Sequence, residues 1–119
     1  AFDPLWWRSE ESVRRRAAAA SHFMVAELHG KVVAYAEREQ HFSQGHVNRL
    51  AVSPSHQEEG IGGGLLRRTL ERLWDGGAET VSLNTQAANR ASRRLYEKFG
   101  FAPTGESATV WTLALNRGA

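Results

Sequence analysis

The sequence contains no cysteine. This absence excludes disulfide frameworks, cysteine-based zinc sites and a cysteine nucleophile, and it is typical of a reducing compartment such as the cytoplasm. No apolar run approaches the length of a membrane span, and the first residues have neither the basic start nor the apolar centre of a signal peptide. We therefore expect a cytoplasmic protein with no membrane partner.

An excess of charge of one sign is also lacking. The chain has 15 basic and 13 acidic residues, a formal net charge of +2, which is too small to indicate nucleic-acid binding by itself. Lysine is scarce, since only Lys31 and Lys98 occur. The densest basic cluster, 14–16, is typical of the solvated face of a helix, so we predict no nucleic-acid partner.

The length and the hydrophobic content indicate one globular domain. The chain has 119 residues, of which 41% are hydrophobic, and this is enough to bury a core. Hydrophobic periodicity and turn signals predict helices at 8–20, 57–74 and 89–99, and strands at 22–28, 31–39, 46–52, 80–84, 101–104 and 108–115, with a loop at 40–45. The strand–helix–strand unit requires a parallel pair, while the hairpins supply antiparallel strands. The predicted fold class is α+β with a mixed, mostly antiparallel sheet.

Glycines are concentrated where the second predicted helix begins. Gly60 and 62–64 fall within five residues, although each glycine costs about 1 kcal/mol relative to alanine inside a helix. The unpaired N–H groups of a helix start, at the positive end of its dipole, suit a phosphate or pyrophosphate. A flexible loop or close helix–strand packing explains the glycines alone about as well. The spacing from Gln57 to Gly62, directly after 50–54, favours the ligand.

Two established phosphate-binding patterns do not fit this turn. It is not a P-loop, because no Gly-Lys-Ser/Thr follows. It is not the dinucleotide fingerprint, because Leu65 stands where the third glycine belongs and no acidic ribose partner ends the next strand. A generic nucleotide-binding domain is therefore disfavoured.

Two motifs carry a resemblance to the GNAT superfamily of N-acetyltransferases. The first resembles its acetyl-CoA-binding motif and consists of Leu50-Ala51-Val52-Ser53-Pro54, Gln57-x-x-Gly60-Ile61-Gly62 and Leu65-Leu66. The second resembles the next motif of the family and consists of Leu83-Asn84-Thr85-Gln86, Asn89-x-Ala91 and Leu95-Tyr96-Glu97-Lys98-Phe99-Gly100-Phe101. The resemblance implies one acetyltransferase domain over 1–119 with a splayed central parallel pair. It also implies an N-terminally short domain that lacks the family's first strand and helix.

The resemblance implies where acetyl-CoA would bind. In the family the cofactor enters between the strands that match 46–52 and 80–84, so the main chain of 50–52 would pair with pantetheine and offer an N–H to the oxyanion. The N–H groups of 58–63 would hold the pyrophosphate, with Glu58 and Glu59 facing solvent. The implied cofactor-binding residues are Leu50, Ala51, Val52, Gln57, Glu58, Glu59, Gly60, Ile61, Gly62, Gly63, Asn84, Asn89 and Tyr96. No metal is expected.

The resemblance also implies catalytic residues. Tyr96 matches the general acid that protonates the CoA thiolate. Some relatives place a glutamate base at the position of Asn84, which cannot serve, and others place an acid at the position of His46. Histidine titrates near neutral pH and is the first candidate for the base, with Glu37 and His41 behind it.

The leading hypothesis is an N-acetyltransferase that moves an acetyl group from acetyl-CoA to a primary amine by direct attack in a ternary complex. The alternative is a non-catalytic CoA-binding or partner-binding module on the same fold. The expected partners are acetyl-CoA and an amine acceptor, and the expected state is a monomer or homodimer.

Overall fold

The computed structural model describes residues 5–13, 20–57, 60–85, 90–105 and 109–115. Within these ranges the chain forms seven strands and two α-helices. In chain order they are β1 (Leu5–Val13), β2 (Ala20–Leu28), β3 (Lys31–His41), β4 (Gln44–Val52), α1 (Ile61–Asp75), β5 (Thr80–Asn84), α2 (Arg90–Lys98), β6 (Ala102–Pro103) and β7 (Val110–Ala114).

The strands form one sheet in the order β1-β2-β3-β4-β5-β7-β6. β4 and β5 are parallel and are joined through α1, whereas the other neighbouring strands are antiparallel. A parallel pair needs such a crossover, while antiparallel strands can be joined by tight turns. The predicted α+β class, with a mixed, mostly antiparallel sheet and a central parallel pair, is confirmed.

Both helices pack on one face of the sheet, and the hydrophobic core lies between them and the strands. Leu66 and Leu73 of α1 and Tyr96 of α2 share a buried cluster with Val81 and Leu83 of β5. A second cluster packs the start of α1 against the small side chains of β2 and β3, with members Met24, Ala26, Val33, Ala34, Ala36, Ile61 and Leu65. In the described ranges neither helix is long and apolar enough to cross a membrane.

The helix predicted at 8–20 is wrong for residues 8–13 and for Ala20, which begins β2, and 14–19 lie outside the described residues. Residues 5–13 form β1, which pairs with β2 from Leu5↔Leu28 to Val13↔Ala20. Helix propensity is a weak local preference, and the edge of β2 offers a continuous row of hydrogen-bonding groups. A strand, β1, therefore precedes the β2–β3 hairpin. The sequence had predicted a helix there, with no strand before it.

The loop predicted at 40–45 is also wrong. β3 continues to His41 and β4 begins at Gln44, so only a tight turn at 42–43 separates them. The Gln40 side-chain amide holds this end of the hairpin, because its Nε2 donates to the carbonyls of Phe42 at 2.9 Å and Gly76 at 2.6 Å. The polar composition of 40–45 predicted a loop, but the Gln40 side chain bonds the end of α1 within the extended hairpin.

The remaining element predictions are confirmed with shifted ends. The helix expected from 57 begins at Ile61, after a 3₁₀ turn over Pro54–His56. The last two strands are shorter than predicted and span Ala102–Pro103 and Val110–Ala114. The turn between them includes Gly105, whose φ is +86°, while Glu106 lies outside the described residues.

Candidate functional site

β4 and β5 separate before β4 ends. Their parallel pairing runs only from Gln44↔Thr80 to Val47↔Leu83, yet β4 continues to Val52. On its other edge β4 stays paired with β3 as far as Ala34↔Val52. From residue 48 onwards one edge of β4 therefore faces a gap, which we call the β4–β5 opening and define as the space between 48–52 and the end of β5.

A β-bulge lies at the point of separation. Glu37 of β3 pairs with Arg49 and Arg38 pairs with Val47, so Asn48 has no β3 partner. An extra residue on one strand bends that strand and increases its twist. The bulge at Asn48 therefore accounts for the turning of β4 away from β5.

The register fixes which backbone groups face the opening. The Ser53 N–H donates to the Val33 carbonyl at 2.7 Å, and hydrogen-bonded pairs alternate along an antiparallel ladder. The backbone groups of 49 and 51 therefore point towards β3, and those of Leu50 and Val52 point towards the opening. The predicted main-chain role of Leu50 and Val52 fits this register, whereas that of Ala51 does not.

The side chain of Gln57 closes the far end of the opening. Its Nε2 donates to the Val52 carbonyl at 3.2 Å, and Gln57 itself is exposed in the turn after the 3₁₀ helix. In this structure its amide therefore braces the protein backbone. The Val52 carbonyl therefore already has a hydrogen-bond donor.

The glycine turn, residues 60–64, brings the start of α1 close to both β4 and α2. Gly60 precedes the helix with a left-handed φ of +80°, a conformation that glycine adopts without steric cost. A Cβ on Gly62 would lie 3.5 Å from Val52 and 3.6 Å from Leu95. The absence of a side chain at Gly62 thus allows α1 to pack closely against β4 and α2.

The start of α1 presents unpaired donors. The first hydrogen bond across it runs from the Gly64 N–H to the Gly60 carbonyl at 3.1 Å. The N–H groups of 61–63 precede that bond and have no acceptor within the helix, as at any helix start. With the positive end of the dipole they form a site that suits a phosphate.

A basic groove extends from the glycine turn between α1 and α2. It has a volume of about 580 Å³ and is lined by Gly60, Gly63, Gly64, Arg67, Arg68, Glu71, Leu95, Lys98 and Phe99. Three cations and one acid line it, so it favours an anion. Arg67, Arg68 and Lys98 were not predicted as site residues. The signal for them was their position, since Arg67 and Arg68 follow the glycines by about one turn and Lys98 ends the next helix.

Tyr96 is buried in the core, with 6% of its surface exposed. Its ring packs edge-on against Phe101 at a centroid distance of 6.0 Å. Burial raises the pKa of the hydroxyl, and a hydrogen bond with Ser92 opposes part of that rise. The preceding residue, Leu95, lies beside the glycine turn, so α2 brings a protonated phenol to the same region.

His46 lies on the face of the sheet opposite the helices. Its neighbours Gly45 and Val47 pack towards Leu73 of α1, and side chains alternate along a strand. Burial lowers the pKa of His46, and the Glu39 carboxylate opposes part of that change. The imidazole is therefore held in its neutral, basic form at neutral pH.

The other candidate bases share this face or its edge. Glu37 is buried with 6% exposure and precedes Glu39 by two residues on β3, so both point to the side of His46. His41 is exposed near the hairpin turn, with its Nε2 3.8 Å from the Glu39 carboxylate.

Four further predicted residues and the predicted absence of a metal complete the comparison with the sequence. Asn84 is exposed at the end of β5, opposite Val110. Glu58, Glu59 and Asn89 lie outside the described residues. Within the described ranges, His, Asp and Glu side chains form no group of three that could hold a metal ion.

Comparison with known proteins identifies the family. The profile of the acetyltransferase (GNAT) family matches residues 2–101. The [ribosomal protein bS18]-alanine N-acetyltransferase of Escherichia coli is 33% identical over 72 residues, which are 60% of this chain and 49% of that protein. The chain thus spans about half the length of the curated relatives it first matches.

Solved structures share the fold. The ribosomal-protein-S18-alanine N-acetyltransferase of Escherichia coli superposes with a TM-score of 0.71 at 25% identity, covering 82% of this chain and 70% of that one. A GNAT family acetyltransferase from Brucella melitensis in complex with acetyl-CoA has a TM-score of 0.63 at 25% identity, covering 81% and 59%. From the profile match over most of its length, this chain belongs to the acetyltransferase (GNAT) family.

Proposed function

We propose that the protein transfers an acetyl group from acetyl-CoA to a primary amine by direct attack. The observation that carries this proposal is the β4–β5 opening, which ends beside the donor-rich start of α1. One end offers strand backbone to a peptide-like ligand and the other offers N–H groups to a phosphate. Acetyl-CoA combines these two chemistries, and a related structure contains it.

The cofactor would lie with its pantetheine arm along β4. The N–H and C=O of Leu50 and the N–H of Val52 face the opening and can pair with the amides of that arm, while the Val52 carbonyl already accepts from Gln57. The pyrophosphate would rest on the N–H groups of 61–63, with Arg67 and Lys98 in the adjoining groove balancing the remaining phosphate charge. The roles predicted for Glu58, Glu59, Asn84 and Asn89 stay predictions.

The chemistry needs a base, an oxyanion donor and an acid. His46 would accept a proton from the ammonium group of the acceptor, and the freed nitrogen lone pair would attack the thioester carbonyl carbon. The Leu50 N–H would stabilise the oxyanion. As the C–S bond breaks, the Tyr96 hydroxyl would donate its proton to the departing thiolate, which leaves as free CoA. The extra proton on the new amide nitrogen would return to the Tyr96 phenolate, directly or through water.

A peptide with an N-terminal alanine is the first acceptor to test. The Escherichia coli relative is named for acetylation of an alanine of ribosomal protein bS18. Glu39, which is only partly buried and lies opposite His46, supplies a negative charge that suits an approaching ammonium group.

The test measures thiol release from acetyl-CoA in the presence of a peptide with free N-terminal alanine. The wild type should release thiol, and Tyr96→Phe should lower kcat about 100-fold, because it removes only the proton donor. CoA affinity, measured by calorimetry, should stay unchanged. Tyr35→Phe is the matched control, since Tyr35 is the other of the two tyrosines and contacts Phe23 on the opposite face of the sheet.

Three results would contradict the proposal at different points. An unchanged kcat in Tyr96→Phe overturns the acid role alone. CoA binding without acetylation of any amine in a broad panel favours the non-catalytic module. If CoA neither binds nor raises the melting temperature, both CoA functions fail.

A further inference from the structure

Three polar side chains form a row across the centre of the sheet. Glu39 of β3 lies opposite His46 of β4, and His46 lies opposite Ser82 of β5. His46 Nδ1 is 2.7 Å from Ser82 Oγ, and both side chains are half-buried. This distance is that of a well-formed hydrogen bond.

The direction of this bond decides what His46 can do. If Ser82 donates to Nδ1, the neutral ring carries its proton on Nε2 and has no free basic nitrogen. If Nδ1–H donates to Ser82 Oγ, the Nε2 lone pair is available as a base. Only the second arrangement survives protonation, because both nitrogens of an imidazolium are donors.

We propose that Ser82 is a positioning residue that holds His46 as the Nδ1–H tautomer with Nε2 as the basic nitrogen, and that Glu39 stabilises the imidazolium formed there. This proposal rests on the proposed function. The proton moves from the acceptor ammonium to Nε2 while Nδ1–H keeps its bond to Ser82 Oγ. The positive charge then lies on the ring beside the Glu39 carboxylate.

The surroundings of the row support a charge-stabilising role for Glu39. Cross-strand neighbours and alternate residues share a face, so among the described residues the ionisable groups on this side near His46 are Glu37, Glu39 and His41 of β3 and Arg49 of β4. β5 adds the neutral Ser82, and β7 adds Thr112 opposite it. Both helices pack on the other face, so Glu39 is the directly opposed carboxylate.

The first test reads the tautomer directly and needs no activity. Long-range proton–nitrogen NMR of the full chain separates Nδ1–H from Nε2–H rings, and His46→Gln assigns the His46 signals among the five histidines. We expect the wild type and Ser82→Thr to show Nδ1–H at neutral pH. Ser82→Ala should shift the population towards Nε2–H.

The second test follows kinetics and pH. Ser82→Ala should lower kcat about three- to tenfold, the value of one hydrogen bond, with KM unchanged, and Ser82→Thr should restore it. Glu39→Gln removes the carboxylate that raises the pKa of His46, so the neutral base persists to lower pH. The acid limb of kcat/KM and the NMR titration of His46 should therefore both move to lower pH.

Thr112→Val controls for polarity loss in the next strand and should change neither the tautomer nor the acid limb. An Nε2–H ring in the wild type, or an unchanged tautomer in Ser82→Ala, overturns the positioning role. The correct tautomer with an unchanged kcat in Ser82→Ala overturns it as well. Failure of the proposed function is seen separately, as absence of acetylation by the wild type, while the tautomer is still measured.

Discussion

The two halves of β4 differ in how many neighbours they have. Residues 44–47 are paired with β3 on one edge and β5 on the other, whereas 49–52 are paired with β3 alone. The first half can only offer side chains, because its backbone groups are used within the sheet. The second half keeps backbone donors and acceptors for a ligand. One extra residue, Asn48, marks the boundary between them.

The difference also appears in their packing. Val47 is buried against Leu66 and Leu73, and Gly45 lies so close to Leu73 that an added Cβ would be 3.0 Å from it. In the second half, Leu50 and Val52 are only partly buried. The well-packed residues 44–47 thus hold the His46 imidazole in place, and the following residues 48–52 can pair with a ligand.

We call residues 44–47 the closed half of β4, because both edges are paired, and 48–52 the open half. Disruption of the packing around the closed half should have the largest effect on stability. Leu83 pairs with Val47 and is 1% exposed, so Leu83→Ala should lower the free energy of unfolding by about 2–5 kcal/mol through lost burial and a cavity. Leu113→Ala on β7, at a partly buried position, is the matched control and should cost clearly less. Urea denaturation measures both, and equal losses would show that the closed half is not the more tightly packed one.

Removal of the bulge should convert the open half into a closed one. Deletion of Asn48 leaves Val47 and Arg49 opposite consecutive β3 residues, so every side chain keeps its face. β4 could then pair further along β5 and use the backbone groups that CoA would need. We expect CoA affinity to fall roughly tenfold to a hundredfold, as for two lost hydrogen bonds.

The control for this deletion is a measurement that the variant still folds. Circular dichroism and a cooperative melting transition should be retained, since the β3 pairing is preserved. A deletion variant that folds and binds CoA as tightly as the wild type would show that the bulge does not create the opening.

The sequence predicted those parts of the molecule that carry a local signal. The β2–β3 hairpin, β5 and the apolar face of α1 follow from periodicity and from turn residues such as Gly30. The glycine turn was recognised because four glycines at a helix start are costly there. The resemblance then supplied His46 and Tyr96 as candidates.

Features that depend on pairing between distant segments were not predictable. β1 forms because the edge of β2 is available, although residues 8–13 alone favoured a helix. The bulge at Asn48 and the contact of Ser82 with His46 depend on the registers of two different strand pairs. Arg67 and Lys98 become neighbours of one groove only when α1 and α2 pack together.

The smallest expected effect separates ligand binding from backbone strain. Gly60 and Gly30 both have left-handed φ angles, +80° and +74°, and a Cβ at either would meet nothing within 4 Å. Gly60→Ala and Gly30→Ala should therefore each destabilise the fold by about 1–2 kcal/mol. Because Gly60 sets the N–H groups of 61–63, only its variant should also weaken CoA binding, by roughly threefold to tenfold. Calorimetry measures the CoA affinity of both variants. Equal affinities would show that the start of α1 does not take part in CoA binding.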